Sequence, residues 1–211
     1  ADLTDTGLRI SVRDGRSVDV AIPEQGSGAQ WIEGRVWSDR CRVVLADDAA
    51  ALWLSAFLAV PCRLAYLPDD ADGPRADKYG AFGGQPRQTA LTDGAPVLLT
   101  STDSLADLNQ RLEAPLPMHR FRPNVVVSGA GAWVEDGWRG FRLGDVAFDA
   151  VKPCPRCVAT TVDQETGQKG KEPLRTLATF RKSGSDVNFG MNVAHRATGS
   201  IHVGDSVRLE G

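Results

Sequence analysis

The chain has 211 residues, 42% of them hydrophobic and 24% charged, with a formal net charge of −3. That length and apolar share suit a substantial core, in one large domain or two small ones. The slight acidity argues against a nucleic-acid partner held by phosphate neutralisation, and no apolar run approaches the length that spans a bilayer. In chain order, residues 8–12 and 17–21 alternate apolar and polar side chains around a turn with Gly15, which predicts a hairpin. Asp47 and Asp48 precede an apolar stretch over 49–58, an N-capped helix with acids at its positive end. Residues 62–67 return as a strand. Residues 68–90 are rich in Asp, Gly, Pro and Arg and read as a linker or loop.

A strand over 96–100 leads into a helix over roughly 104–112, with Ser or Thr just upstream as its cap. Residues 125–128 begin an apolar strand that ends at Gly129-Ala130-Gly131. Without a third glycine or a following helix, that triplet predicts a turn, not a dinucleotide loop. Pro173 suits the first position of a short helix through Arg181. Beyond it, strands separated by Gly190, Gly199 and Gly204 are expected. No repeat or low-complexity tract interrupts the chain. The spacing of short strands predicts a mainly β fold with a few short helices, closing into a barrel or half-barrel.

The most informative stretch is Lys152-Pro153-Cys154-Pro155-Arg156-Cys157, running into Val158-Ala159-Thr160-Thr161-Val162. A thiolate beside a guanidinium has a lowered pKa, and the thiolate is the form that attacks or ligates a metal. A thioredoxin-like pair needs its first cysteine at a helix N-terminus, whereas residues 158–162 are β-branched and strand-like. A structural zinc site needs four ligands, yet Cys41 and Cys62 stand apart, and His119, His195 and His202 have no ligand spacing. Two buried structural thiols are the bland alternative. Four scattered cysteines do not read as a disulfide framework, so a reducing, cytoplasmic compartment is expected. The chain carries no signal peptide and opens without methionine, which reads as a processed form or a fragment.

The longer string from Lys152 to Gly167, with Lys171-Glu172-Pro173-Leu174 and residues 177–181, resembles the MOSC family of molybdenum-cofactor proteins, in particular its amidoxime-reducing branch. Further blocks agree in order: residues 104–109, Phe121-Arg122-Pro123-Asn124 through Gly129, Leu143-Gly144-Asp145-Val146, and Val203-Gly204-Asp205-Ser206-Val207. The resemblance is dense from Thr92 onward. It implies a β-barrel-like MOSC domain over 73–211, preceded over 1–72 by a remnant of the family's N-terminal β domain. It also implies that basic residues clamping the cofactor lie on a segment ahead of Ala1.

By the same resemblance, Cys157 is the ligand of a molybdenum–molybdopterin cofactor, since a soft thiolate suits a metal already held by the pterin's sulfurs. Arg156 is expected to keep Cys157 deprotonated. Arg122 and Asn124 fall at the pterin and phosphate contacts, with Pro123 expected to hold Arg122 extended. Asp93 matches an acidic residue near the metal that holds a metal-bound water or relays a proton, and Asn192 falls at a cofactor-contacting position. The implied activity is reduction of small N-hydroxylated compounds by oxygen-atom transfer. Electrons would come from a separate iron–sulfur, flavin or haem protein, because this chain carries no motif for such a centre. Sulfur carriage by a Cys157 persulfide and a cofactor-free binding module are the alternatives. Some members carry pyridoxal-phosphate annotations through fused partners, but no Schiff-base lysine is identifiable here.

Overall fold

In a computed structural model the described residues are 1–36, 39–69, 90–92 and 94–210. The chain divides into two units, Ala1–Arg75 with Gln88–Asp93, and Ala76–Arg87 with Gly94–Gly211. In the first, β1 (Asp2–Thr4), β2 (Gly7–Ser11) and β3 (Ser17–Ala21) form an antiparallel sheet. The predicted hairpin is there, with Ile10 opposite Val18 and Ser11 opposite Ser17. β4 (Trp31–Val36) pairs with β5 (Asp39–Leu45), and β6 (Ala65–Tyr66) extends that sheet. α1 (Asp48–Leu58) starts where expected, because the Asp47 carboxylate accepts the Ala50 N–H at 2.8 Å.

The strand expected over 62–67 shrinks to Ala65–Tyr66. The Ser55 hydroxyl of α1 accepts the Cys62 N–H at 3.0 Å and donates to its carbonyl at 3.1 Å, so this backbone bonds to a helix side chain instead of a ladder. The expected linker over 68–90 falls almost wholly outside the described residues.

The second unit is built on one curled sheet. Its strands are β7 (Val97–Ser101), β8 (Val125–Val127), β9 (Gly140–Leu143), β10 (Val146–Pro155), β11 (Lys182–Ser183), β12 (Asp186–His195) and β13 (Val207–Glu210). The order is β13-β9-β10-β12-β7-β8, with β11 folded back on β12, giving a half-barrel in a mainly β protein as the strand spacing predicts. Only β7 and β8 pair in parallel among these strands. Leu99, Phe141, Phe148, Met191 and Val193 form the core on one face of the sheet.

The other face carries a second cluster of Leu108, Phe121, Leu177 and Phe189. It is supplied by α2 (Thr102–Gln110), a 3₁₀ turn at Met118–Phe121, and α3 (Leu174–Leu177). α2 begins earlier than residue 104 because the Ser101 hydroxyl accepts the N–H groups of Asp103 and Ser104. α3 stops at Leu177, short of Arg181, and Pro173 sits at its cap rather than inside its first turn.

Gly190 does not separate strands; β12 runs through it. Its φ is +77°, and a Cβ there would lie 2.7 Å from the Leu99 carbonyl and 2.8 Å from the Thr100 methyl. Glycine therefore permits the close approach of β7, and it marks a bulge rather than a turn. Between β12 and β13 no described residue around Gly199 or Gly204 is in a strand. Gly129 and Gly131 have φ of +79° and +92°, so the Gly-Ala-Gly triplet is the predicted turn.

Beyond it, a 3₁₀ turn at Val134–Gly137 buries Glu135 to 1% exposure. The Ser104 hydroxyl donates to Glu135 Oε1 at 2.6 Å and accepts the Trp133 N–H at 2.8 Å. Burial raises the Glu135 pKa above its ordinary value, with the Ser104 bond opposing. A raised carboxyl pKa means that stability is full below the unfolded value of about 4.3 and is lost as pH rises through the folded pKa. Glu135→Gln should therefore stabilise the protein at about pH 8, with the gain shrinking toward about pH 4. Urea unfolding at the two pH values checks this; an equal difference at both would contradict it.

Candidate functional site

β10 delivers the Cys-Pro-Arg-Cys segment. Its ladder with β9 ends at Asp149, where the Ala150 N–H still donates to the Arg139 carbonyl at 2.7 Å, and among the described residues the strand beyond is paired with β12 alone. Pro153 and Pro155 lie in this half-free stretch, where a missing N–H is tolerated. The Arg156 N–H then donates to the Val187 carbonyl at 2.8 Å, and the chain leaves the sheet.

The β-branched run that follows is not a strand. Cys157 caps a 3₁₀ turn at Val158–Thr161. The Thr160 and Thr161 hydroxyls donate to the Cys157 and Val158 carbonyls at 3.0 and 2.8 Å. Those side-chain bonds favour a tight turn over the extended backbone that β-branching suggests. The turn starts at the second cysteine and leaves the first in the strand, so the thioredoxin arrangement stays excluded. All four cysteines are free thiols, and Cys157 is exposed.

Arg156 contacts a different thiol from the one its sequence neighbour suggests. Its Nη1 donates to Cys154 Sγ at 3.1 Å and its Nη2 to the Phe121 carbonyl at 2.7 Å. In extended backbone, residues two apart point the same way and adjacent ones point oppositely, which is the signal that alternation held for Cys154. The guanidinium thereby ties the cysteine segment to the residue preceding Arg122-Pro123-Asn124, so sequence blocks over thirty residues apart share one place.

Arg122 is exposed, with φ of 53° and ψ of 51°. The extended conformation expected ahead of Pro123 is thus replaced by a left-handed one, because Arg122 closes the 3₁₀ turn with its N–H on the His119 carbonyl at 3.0 Å. A side chain held left-handed costs about 1–2 kcal/mol, and such strain clusters at functional sites.

Asn124 spends its carbonyl oxygen on the Leu98 N–H at 2.8 Å, while its own N–H donates to the Leu98 carbonyl at 2.9 Å. Only its NH₂ remains to meet a ligand. Asn192 is 9% exposed in β12, a largely buried amide on the strand between β10 and β7. Asp93 lies outside the described residues.

Among the described residues no three His, Cys, Asp or Glu side chains gather as a metal site. A metal here would need a cofactor that brings most of its own ligands. The donor set fits such a group: one accessible soft sulfur, an exposed guanidinium for an anionic oxygen, and a largely buried amide for a heterocycle edge. Among the described residues no helix is long and apolar enough to cross a membrane.

Comparison with known proteins shows the family. The chain is 34% identical over 212 residues to mitochondrial amidoxime-reducing component 1 of Danio rerio, covering 97% of this chain and 65% of that protein. It is 39% identical to the Mus musculus protein of the same name and 37% to the human one, in each case over 78% of this chain. It spans only about half the length of those two relatives, 51% and 52%. Residues 86–208 match the MOSC domain, which takes in the cysteine segment, the Arg-Pro-Asn segment and the curled sheet up to the start of β13; the chain belongs to the MOSC domain family.

Proposed function

We propose that this chain holds a molybdenum–pterin cofactor through Cys157 and serves in the reduction of small N-hydroxylated compounds. The observation that supports the reading is the Arg156 bridge, which ties the segment ending in the exposed free thiol Cys157 to the Phe121 carbonyl, one residue ahead of Arg122-Pro123-Asn124. Family membership and the amidoxime-reducing names of its relatives support it. When bound, such a group would supply two electrons to the N–OH centre and take up its oxygen atom, with the electrons replaced by the donor protein.

This chain's residues bind and orient. The Cys157 sulfur ligates the metal, and exposure at the start of a turn lets it do so without moving backbone. Arg122 pairs with an anionic oxygen through its planar fork. The Asn124 NH₂ donates toward the pterin, and the Asn192 amide satisfies a heteroatom edge. Asp93 is assigned to proton handling on the family pattern alone. Electrons arrive from a separate iron–sulfur, flavin or haem protein.

Molybdenum analysis of the purified protein, with release of a fluorescent oxidised pterin on denaturation, tests the reading. Comparable amounts of both are expected. Cyanide-labile sulfur on Cys157 without molybdenum would replace the reductase reading with sulfur carriage.

A further inference from the structure

We propose that Lys152 is an additional cofactor-binding residue of this site, placing its ammonium against an anionic oxygen of the pterin group. The inference rests on the functional reading above and adds a residue to it. The register supplies the geometry. Lys152 of β10 lies opposite Asn192 of β12, Asn192 lies opposite Leu98 of β7, and Leu98 exchanges hydrogen bonds with Asn124 at the head of β8. One row across four strands thus carries Lys152, Asn192, Leu98 and Asn124.

Opposed residues in a sheet project from the same face. Met191 and Val193 enter the hydrophobic core, so Asn192 between them projects from the other face, and Lys152 with it. Cys154, two residues on along β10, leaves that same side about 6.6 Å away at a rise of ~3.3 Å per residue. A half-buried cation, a nine-tenths buried amide and the thiol bound by Arg156 therefore face one side of the sheet.

This placement depends on an irregularity in the ladder. Ala150 pairs with Val193 but Lys152 pairs with Asn192, so Val151 is an extra residue in β10. In an unshifted ladder Val151 would oppose Asn192, and Lys152 would oppose Met191 and project into the apolar core. Bulges that re-aim one side chain are over-represented beside functional sites. Here the bulge moves Lys152 off the core side of the sheet and onto the face that carries Asn192. Partial burial strengthens its attraction for an anion relative to a solvated surface lysine.

The test uses the full chain purified with its cofactor, compared with Lys152→Met and Lys152→Arg. Pterin per protein is read by oxidative fluorescence after dialysis in low and high salt, with a thermal melt of each form. Lys152→Met should retain about tenfold less pterin than wild type, in the range for loss of a supporting group at a metal site. Its loss should depend less on salt. Lys152→Arg should stay near wild type, with melts of both variants close to the parent. Should Lys152→Met melt early, Lys152→Gln decides by the same readout. Wild-type pterin retention and salt response in the uncharged variant overturn the role of Lys152. A wild-type protein without pterin instead overturns the functional reading, and this inference with it.

Discussion

Cys157→Ala is expected to remove bound molybdenum and lower reductase turnover by at least about 100-fold, since even supporting groups around a metal cost 10–100-fold. Its unfolding free energy should change by less than about 0.5 kcal/mol, as for surface positions without special structure. The separation of the two effects follows from the local structure. The Cys157 side chain is exposed, whereas the bonds that build the turn run to its backbone carbonyl, which alanine keeps. Cys154→Ala should behave in the opposite way. It leaves the metal ligand in place but deprives Arg156 Nη1 of its acceptor, a loss of about 1 kcal/mol. Metal content, turnover and urea unfolding on both variants decide the matter. Full metal and turnover in Cys157→Ala would remove the ligand assignment.

Much of the fold is legible in the sequence where its signals are local. The hairpin at 8–21, the Asp47 cap and the Gly129-Gly131 turn each depend on residues within a few positions, and each forms as read. The misreadings share a different cause. Val158–Thr161 carries strand propensity, but two threonine hydroxyls bond back to the preceding carbonyls and fold it into a turn. Pro123 favours an extended Arg122, but closing the 3₁₀ turn on His119 overrides it. Gly190 looks like a boundary, but the neighbour demanding it is Leu99, about ninety positions away in the chain. Which thiol Arg156 serves and which way Lys152 faces are properties of pairing register. No local window displays them.

Phe189→Ala should show how strongly the fold underwrites the site. Phe189 is fully buried, stacks on Phe121 with ring centroids 3.8 Å apart, and meets the Trp133 ring edge-on at 5.8 Å. Truncating such a ring costs about 3–5 kcal/mol through lost transfer energy and the cavity left behind. The consequence extends past stability, because Phe121 ends the turn that sets Arg122, and its carbonyl receives Arg156. With its stacking partner gone, the 118–121 turn loses its seat on the sheet. The Arg-Pro-Asn segment then loses its fixed relation to Cys157. Leu108→Ala is the control, since it opens a cavity of about 2–5 kcal/mol in the same cluster while leaving the Phe121–Phe189 stack intact. Phe189→Ala is expected to lose both stability in urea and pterin per folded protein, whereas Leu108→Ala loses stability with pterin content near wild type. Equal pterin retention in the two variants, measured well below the urea transition, would mean that the stack supports the fold without positioning the site.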